Sequence, residues 1–218
     1  MGELIDLSHA VVEGMVTYPG LPAPSITVHT SREESAARLE GGVSFHIGRI
    51  DMVANTGTYL DAPFHFDAEG ADLARLPLER LVDRPTVVVR TGGHTAIGPD
   101  LLPARTELAD AAVLFHTGWS RHWGSEAYFG AAPFLTADCV FSLAAAGPAL
   151  VGIDSLNIDD RNDGTRPAHS VLLGAGIPII EHLTALARVP GRGARLTALP
   201  APVKGMGTFP VRVVARIP

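Results

Sequence analysis

Two short segments carry the side chains best suited to chemistry. The first is Asn55-Thr56-Gly57-Thr58-Tyr59-Leu60-Asp61-Ala62-Pro63-Phe64-His65. If the chain is extended up to Asp61, then Asn55, Gly57, Tyr59 and Asp61 project to one face. Pro63 then turns the chain and lets His65 swing back beside Asp61. A carboxylate and an imidazole so placed can hold a divalent cation or shuttle a proton. The same residues also describe a plain structural turn beside a partly buried histidine.

The second segment is Arg166-Pro167-Ala168-His169-Ser170, followed after a Gly-rich turn by Ile177-Pro178-Ile179-Ile180-Glu181-His182. A helix start presents His169, and an apolar strand ends in Glu181. A carboxylate in that position is unusual, because Glu is rarely buried unless paired. A ligand at a strand end accounts for it, and so does a solvated strand terminus. Glu181 and His182 face opposite sides of an extended strand, so only one can join a given site.

The elements that position these side chains are mostly short strands. Strand-like runs are expected at 3–7, 25–29, 43–53, 86–90, 111–116, 150–153, 177–181, 195–199 and 211–217, bounded by Gly, Pro or Asp. Helices are expected at 136–146, with a Thr cap and a Gly-Pro stop, at 167–173 with Gly174 closing it, and over a short stretch at 76–82. Strands outnumber helices, which favours a mixed α/β domain with a barrel-like sheet over a regular doubly wound fold. No repeat or linker divides the chain, so residues 1–218 are read as one domain.

Composition narrows the function. The net charge is −6 and the arginines are scattered, so no basic stripe exists to neutralise phosphates and nucleic acid is not expected as a partner. No uncharged run is long enough to span a bilayer, and the N-terminus has no secretory pattern, so a cytoplasmic protein acting on a small molecule is expected. Cys139, the only cysteine, reads as a small core residue. There is no dinucleotide or phosphate loop and no zinc-protease or serine-hydrolase motif. Asp159-Asp160-Arg161-Asn162-Asp163-Gly164 fails as a calcium loop and reads as an acidic surface turn. The aromatics of Trp119 and Trp123 suit either a pocket wall or core packing.

Taken together, the segments resemble the cyclase family, which includes bacterial-type kynurenine formamidases and isatin hydrolases. The family's hallmark is His-x-Gly-Thr-His-x-Asp-x-Pro-x-His, and residues 55–65 follow that frame. Ile5-Asp6-Leu7-Ser8-His9, Tyr18-Pro19-Gly20, Val151-Gly152-Ile153-Asp154, the pair His169 and Glu181, and Lys204-Gly205 match in the same order along the chain. The resemblance implies a swivelling β/β/α fold and association as a homodimer or homotetramer. It implies metal ligation by Asp61, His169 and Glu181, proton transfer by His65, and a pocket wall at Tyr18. Asn55 and Tyr59 replace two histidines of the hallmark. One divalent ion, zinc or manganese, is therefore expected, with the second metal position empty and with Asn55 and Tyr59 facing the substrate. The expected activity is hydrolysis of a small amide, lactam or ester, such as an aryl formamide or an isatin-like ring. Non-hydrolytic cyclisation or dehydration, and a binding protein without catalysis, are the alternatives on the same scaffold.

Overall fold

The computed structural model describes residues 2–218. Twelve strands run through them: β1 (Leu4–Asp6), β2 (Ser25–Thr30), β3 (Ile47–Asp51), β4 (Tyr59–Asp61), β5 (Arg84–Arg90), β6 (Ala96–Ile97), β7 (Ala112–His116), β8 (Phe134–Leu135), β9 (Leu150–Ile153), β10 (Ile179–Glu181), β11 (Arg195–Pro200) and β12 (Thr208–Arg216). Three α-helices, α1 (Arg32–Ala36), α2 (Arg105–Leu108) and α3 (Ala137–Ala146), and several 3₁₀ turns connect them. The main sheet runs β1-β12-β11-β5-β7-β9-β10-β4, and a further pairing of β4 with β12 closes it into a ring with β1 outside. This is the mixed, barrel-like α/β core expected from the sequence.

The ring has two halves with different physics. Strands β5, β7, β9 and β10 pair in parallel, while β4, β12 and β11 pair antiparallel. Parallel strands are buried on both faces, which is why β7 and β9 read as unbroken apolar runs. Leu114, Leu150, Ile180, Leu196 and Val213 fill the barrel interior. On the outer face Val113, Phe115 and Ile153 pack against Val140 and Leu143 of α3 and against Leu172. Cys139 belongs to this outer core and is fully buried.

Helix α3 forms where its signals lie: the Thr136 hydroxyl accepts the Cys139 N–H at 3.3 Å, and Gly147 stops the helix at φ 69°. The other two helical expectations are corrected. Around 76–82 only the 3₁₀ turn Leu78–Arg80 appears. After Pro167 the chain is helical, but His169–Leu173 winds as a π-helix, and Gly174 stays right-handed. The left-handed turn falls later, at Gly176 (φ 72°). The run 43–53 contracts to β3, which pairs with β2 in a separate exposed ribbon. No helix among the described residues is long and apolar enough to cross a membrane.

Candidate metal centre and pocket

Ring closure places the carboxylates. Strand β4 lies between β10 and β12, with Glu181 directly opposite Tyr59 on one side and Thr208 directly opposite Asp61 on the other. Side chains opposite one another across antiparallel strands share a face and interact. Accordingly the Tyr59 hydroxyl donates to Glu181 Oε2 at 2.5 Å, and the Thr208 hydroxyl donates to Asp61 Oδ1 at 2.5 Å. Leu60 and Ile180 point the other way, into the barrel. The site therefore sits on the outer face of the closure seam.

The expectation of an extended chain from Asn55 to Asp61 is corrected. Gly57 turns left-handed (φ 67°), and regular strand begins only at Tyr59. Asn55 still reaches the pocket, where it lines the same cavity as Tyr59. After Asp61 the turn Pro63–His65 folds the imidazole back as expected, with His65 Nε2 3.8 Å from Asp61 Oδ1. Gly207 makes this possible: a Cβ there would lie 2.5 Å from the His65 backbone nitrogen.

His169 arrives from the π-helical segment. Its Nε2 lies 3.8 Å from Asp61 Oδ2 and 3.9 Å from Glu181 Oε1. These are too long for hydrogen bonds. They suit ligands around one ion, because bonds of roughly 2.1 Å in tetrahedral geometry separate ligand atoms by roughly 3.4 Å. One ligand atom each from Asp61, His65 and His169 lies within 4.8 Å of the others. Among the described residues, none gives the buried Asp61 Oδ2 a hydrogen bond. A buried carboxylate oxygen left unpaired is costly, and a cation would satisfy it. The residues present fit a divalent metal. Glu181 stands at the edge of this group: its Oε1 already accepts the Ile158 N–H at 2.6 Å, and Oε2 holds Tyr59.

Asp159 overturns one sequence expectation. It is 1% exposed and so is not part of a surface turn. Its Oδ1 accepts the Ala168 N–H at 2.6 Å, and its Oδ2 lies 2.6 Å from His169 Nδ1. That contact keeps a proton on Nδ1, so Nε2 is the nitrogen that would exchange its proton for a metal. The sequence signal was slight: an Asp shortly before a Pro-started helix, the spacing of a side-chain cap.

The electrostatics agree with a site built for a cation. Burial opposes charge on His169, but the hydrogen bond to Asp159 and the negative charges of Asp61 and Glu181 outweigh it and raise its pKa to about 10. Burial, with Asp61 nearby, pushes Glu181 up to about 7. Burial and the Glu181 charge lift the Tyr59 phenol well above its ordinary value, so it stays a proton donor. His182, with a left-handed backbone (φ 56°), packs edge-on against the Tyr59 ring at 5.1 Å, where Tyr128 meets its Nδ1 at 2.8 Å and burial lowers its pKa to about 3. Trp123 stacks on His9 at 4.0 Å and helps to cover that cluster; neither Trp119 nor Trp123 lines the metal pocket.

Above the site is an open cavity of about 420 Å³, and Tyr18, Asn55, Tyr59, His65, His169 and Glu181 all line it. Phe66, stacked on His169 at 4.9 Å, together with Asn157 and Arg166, was not anticipated there from sequence. The size suits a small organic molecule.

The cyclase family model matches residues 5–160. Over 214 residues the chain is 31% identical to a kynurenine formamidase of Bacillus cereus, covering 98% of this chain and 97% of that one. A solved structure of a potential metal-dependent hydrolase with cyclase activity superposes with a TM-score of 0.79 at 30% identity, covering both chains fully (100% each). Isatin hydrolase A from Labrenzia aggregata has the same fold: TM-score 0.82 at 23% identity, covering 99% of this chain and 93% of that one.

Proposed function

The chain belongs to the cyclase family, and from that premise we propose that it is a metal-dependent hydrolase cleaving the C–N bond of a small aryl amide. The observation that carries this reading is the convergence of His65 and His169 on the Asp61 carboxylate, whose Oδ2 is orphaned, beneath an aromatic-walled cavity. Kynurenine formamidases and isatin hydrolases among its relatives support the choice of amide chemistry.

We assign Asp61, His169 and Glu181 as the metal ligands and His65 as the proton carrier. A divalent ion held there, zinc or manganese, would polarise the substrate carbonyl and make a water more acidic. His65 suits proton transfer because its side chain is 30% exposed on the pocket side while its Nε2 stays near Asp61. It takes the proton from the attacking water and returns it to the leaving nitrogen. Asp159 holds His169 in the metal-binding tautomer. Asn55 and Tyr59 stand where the family hallmark has two histidines, and neither is a good ligand for zinc, so one metal per subunit is proposed. The Tyr59 phenol gives its single proton to Glu181 Oε2 and so holds that carboxylate in place beside the substrate. Tyr18 and Phe66 flank the aryl ring. Assembly as a homodimer or homotetramer in the cytoplasm remains part of this proposal.

The test is metal analysis of purified protein together with hydrolysis of formanilide and of isatin in isotopically labelled water. One equivalent of metal and one labelled oxygen in the product are expected. Turnover without label would favour non-hydrolytic chemistry. Protein that holds no metal and does not respond to zinc or manganese would favour a binding role. Two equivalents of metal would refute the reading of Asn55 and Tyr59.

A further inference from the structure

Among the described residues lining the cavity, Arg166 is the one, besides the histidines, that can carry positive charge. Among the described residues it forms no ion pair. Its guanidinium makes two long contacts, 3.4 Å to the Asp160 carbonyl and 3.5 Å to the Arg161 carbonyl. A guanidinium has five N–H donors in a planar fork, so most of its capacity is unspent. Asp163 feels the Arg166 charge, but its Oδ1 is taken by the Thr165 N–H and hydroxyl. The backbone is also unusual. Arg166 sits at φ 46° immediately before Pro167, where an ordinary residue favours extended conformations. Such outliers persist where the surroundings enforce them, and they cluster at ligand sites.

We propose that Arg166 determines specificity by binding a carboxylate on the substrate, so that the preferred amide is an aryl amide whose ring carries an anionic group. This rests on the hydrolase reading of the same cavity. The aromatic walls of Tyr18 and Phe66 hold the ring, and the Asp61–His65–His169 group marks the scissile bond. Arg166 then fixes which end of the molecule faces away from that group. Without it, an anionic ring would meet only the negative charge of Asp61 and Glu181 and would depend on the metal alone for attraction.

The experiment uses metal-loaded protein and the isosteric pair benzoate and benzamide, with binding followed by calorimetry. Benzoate is expected to bind at least about 10-fold tighter than benzamide, as losing a charge-assisted hydrogen bond would cost. Arg166→Gln should erase that preference, since Gln adopts the same backbone no less readily but has no charge. Arg166→Lys should keep part of it. A wild-type protein without preference for benzoate overturns the proposal. A preference that survives Arg166→Gln would assign the carboxylate to the metal and overturn it equally. The kcat/KM ratio of 3-formamidobenzoate over formanilide should fall in Arg166→Gln, mainly through KM. Failure of wild type to hydrolyse either compound would refute the hydrolase reading, while the binding comparison would still decide the role of Arg166.

Discussion

Asp159→Asn changes one atom and should disable the site. In the native protein His169 donates from Nδ1 to Asp159 Oδ2 at 2.6 Å, while Asp159 Oδ1 accepts from Ala168. Asn retains one oxygen for the Ala168 N–H and presents an amide NH₂ to the imidazole. Nδ1 must then accept, so the proton moves to Nε2 and blocks the lone pair that faces Asp61 and Glu181. Both atoms are buried, with side chains 5% and 0% exposed, so water cannot substitute for the lost partner. Loss of such an outer-shell carboxylate typically weakens metal binding 10–100-fold, or about 1.4–2.7 kcal/mol. Titration against a competing chelator would measure the affinity, and urea denaturation of the metal-free protein would show whether folding is intact. A folded variant with wild-type metal affinity would refute both the tautomer argument and the placement of His169 as a ligand.

Other predictions address the remaining groups. His65→Ala should reduce turnover by about 10²–10⁴-fold with metal content retained; metal loss in parallel would make His65 a ligand. Tyr59→Phe leaves Glu181 Oε2 buried without its donor. Metal-free protein should lose about 1.5–3 kcal/mol in urea denaturation, more at pH 8 than at pH 6, because the charged carboxylate needs the donor most; no pH dependence would contradict the raised Glu181 pKa. Metal binding must displace the proton on His169, whose pKa is raised to about 10, and any proton on Glu181, whose pKa is raised to about 7. Calorimetry in buffers of different ionisation enthalpy should show proton release decreasing between pH 6 and pH 8 towards the share from His169, and release that rises with pH would refute the scheme. The same shift makes charged His169 stabilise the metal-free fold fully below about pH 6.5 and lose that contribution as pH rises through about 10.

Particular elements show how far the sequence could be read. The parallel strands β5, β7 and β9 were legible because burial on both faces leaves unbroken apolar runs. Helix α3 was legible because Thr136 and Gly147 are local signals. The π-helical winding at 169–173 was not, since it depends on how that segment packs against α3 and the outer core rather than on its own composition. The Gly57 bend was hidden by a run that also satisfies strand periodicity. Phe66 and Arg166 lie close in sequence to His65 and His169, yet nothing in their type or spacing marked them as cavity walls, because which side chains face the cavity depends on how the two segments meet in the fold.

By itself the sequence determined which side chains could do chemistry and that a mixed sheet would carry them, since residue type and local periodicity are properties of short windows. Only the tertiary structure decided that Asp61, His65 and His169 converge, with Glu181 beside them, because that depends on β4 closing the ring between β10 and β12. The role of Asp159 was settled at the same level. A carboxylate in an acidic run reads as solvated until the fold buries it against an imidazole, and no pattern along the chain encodes that contact.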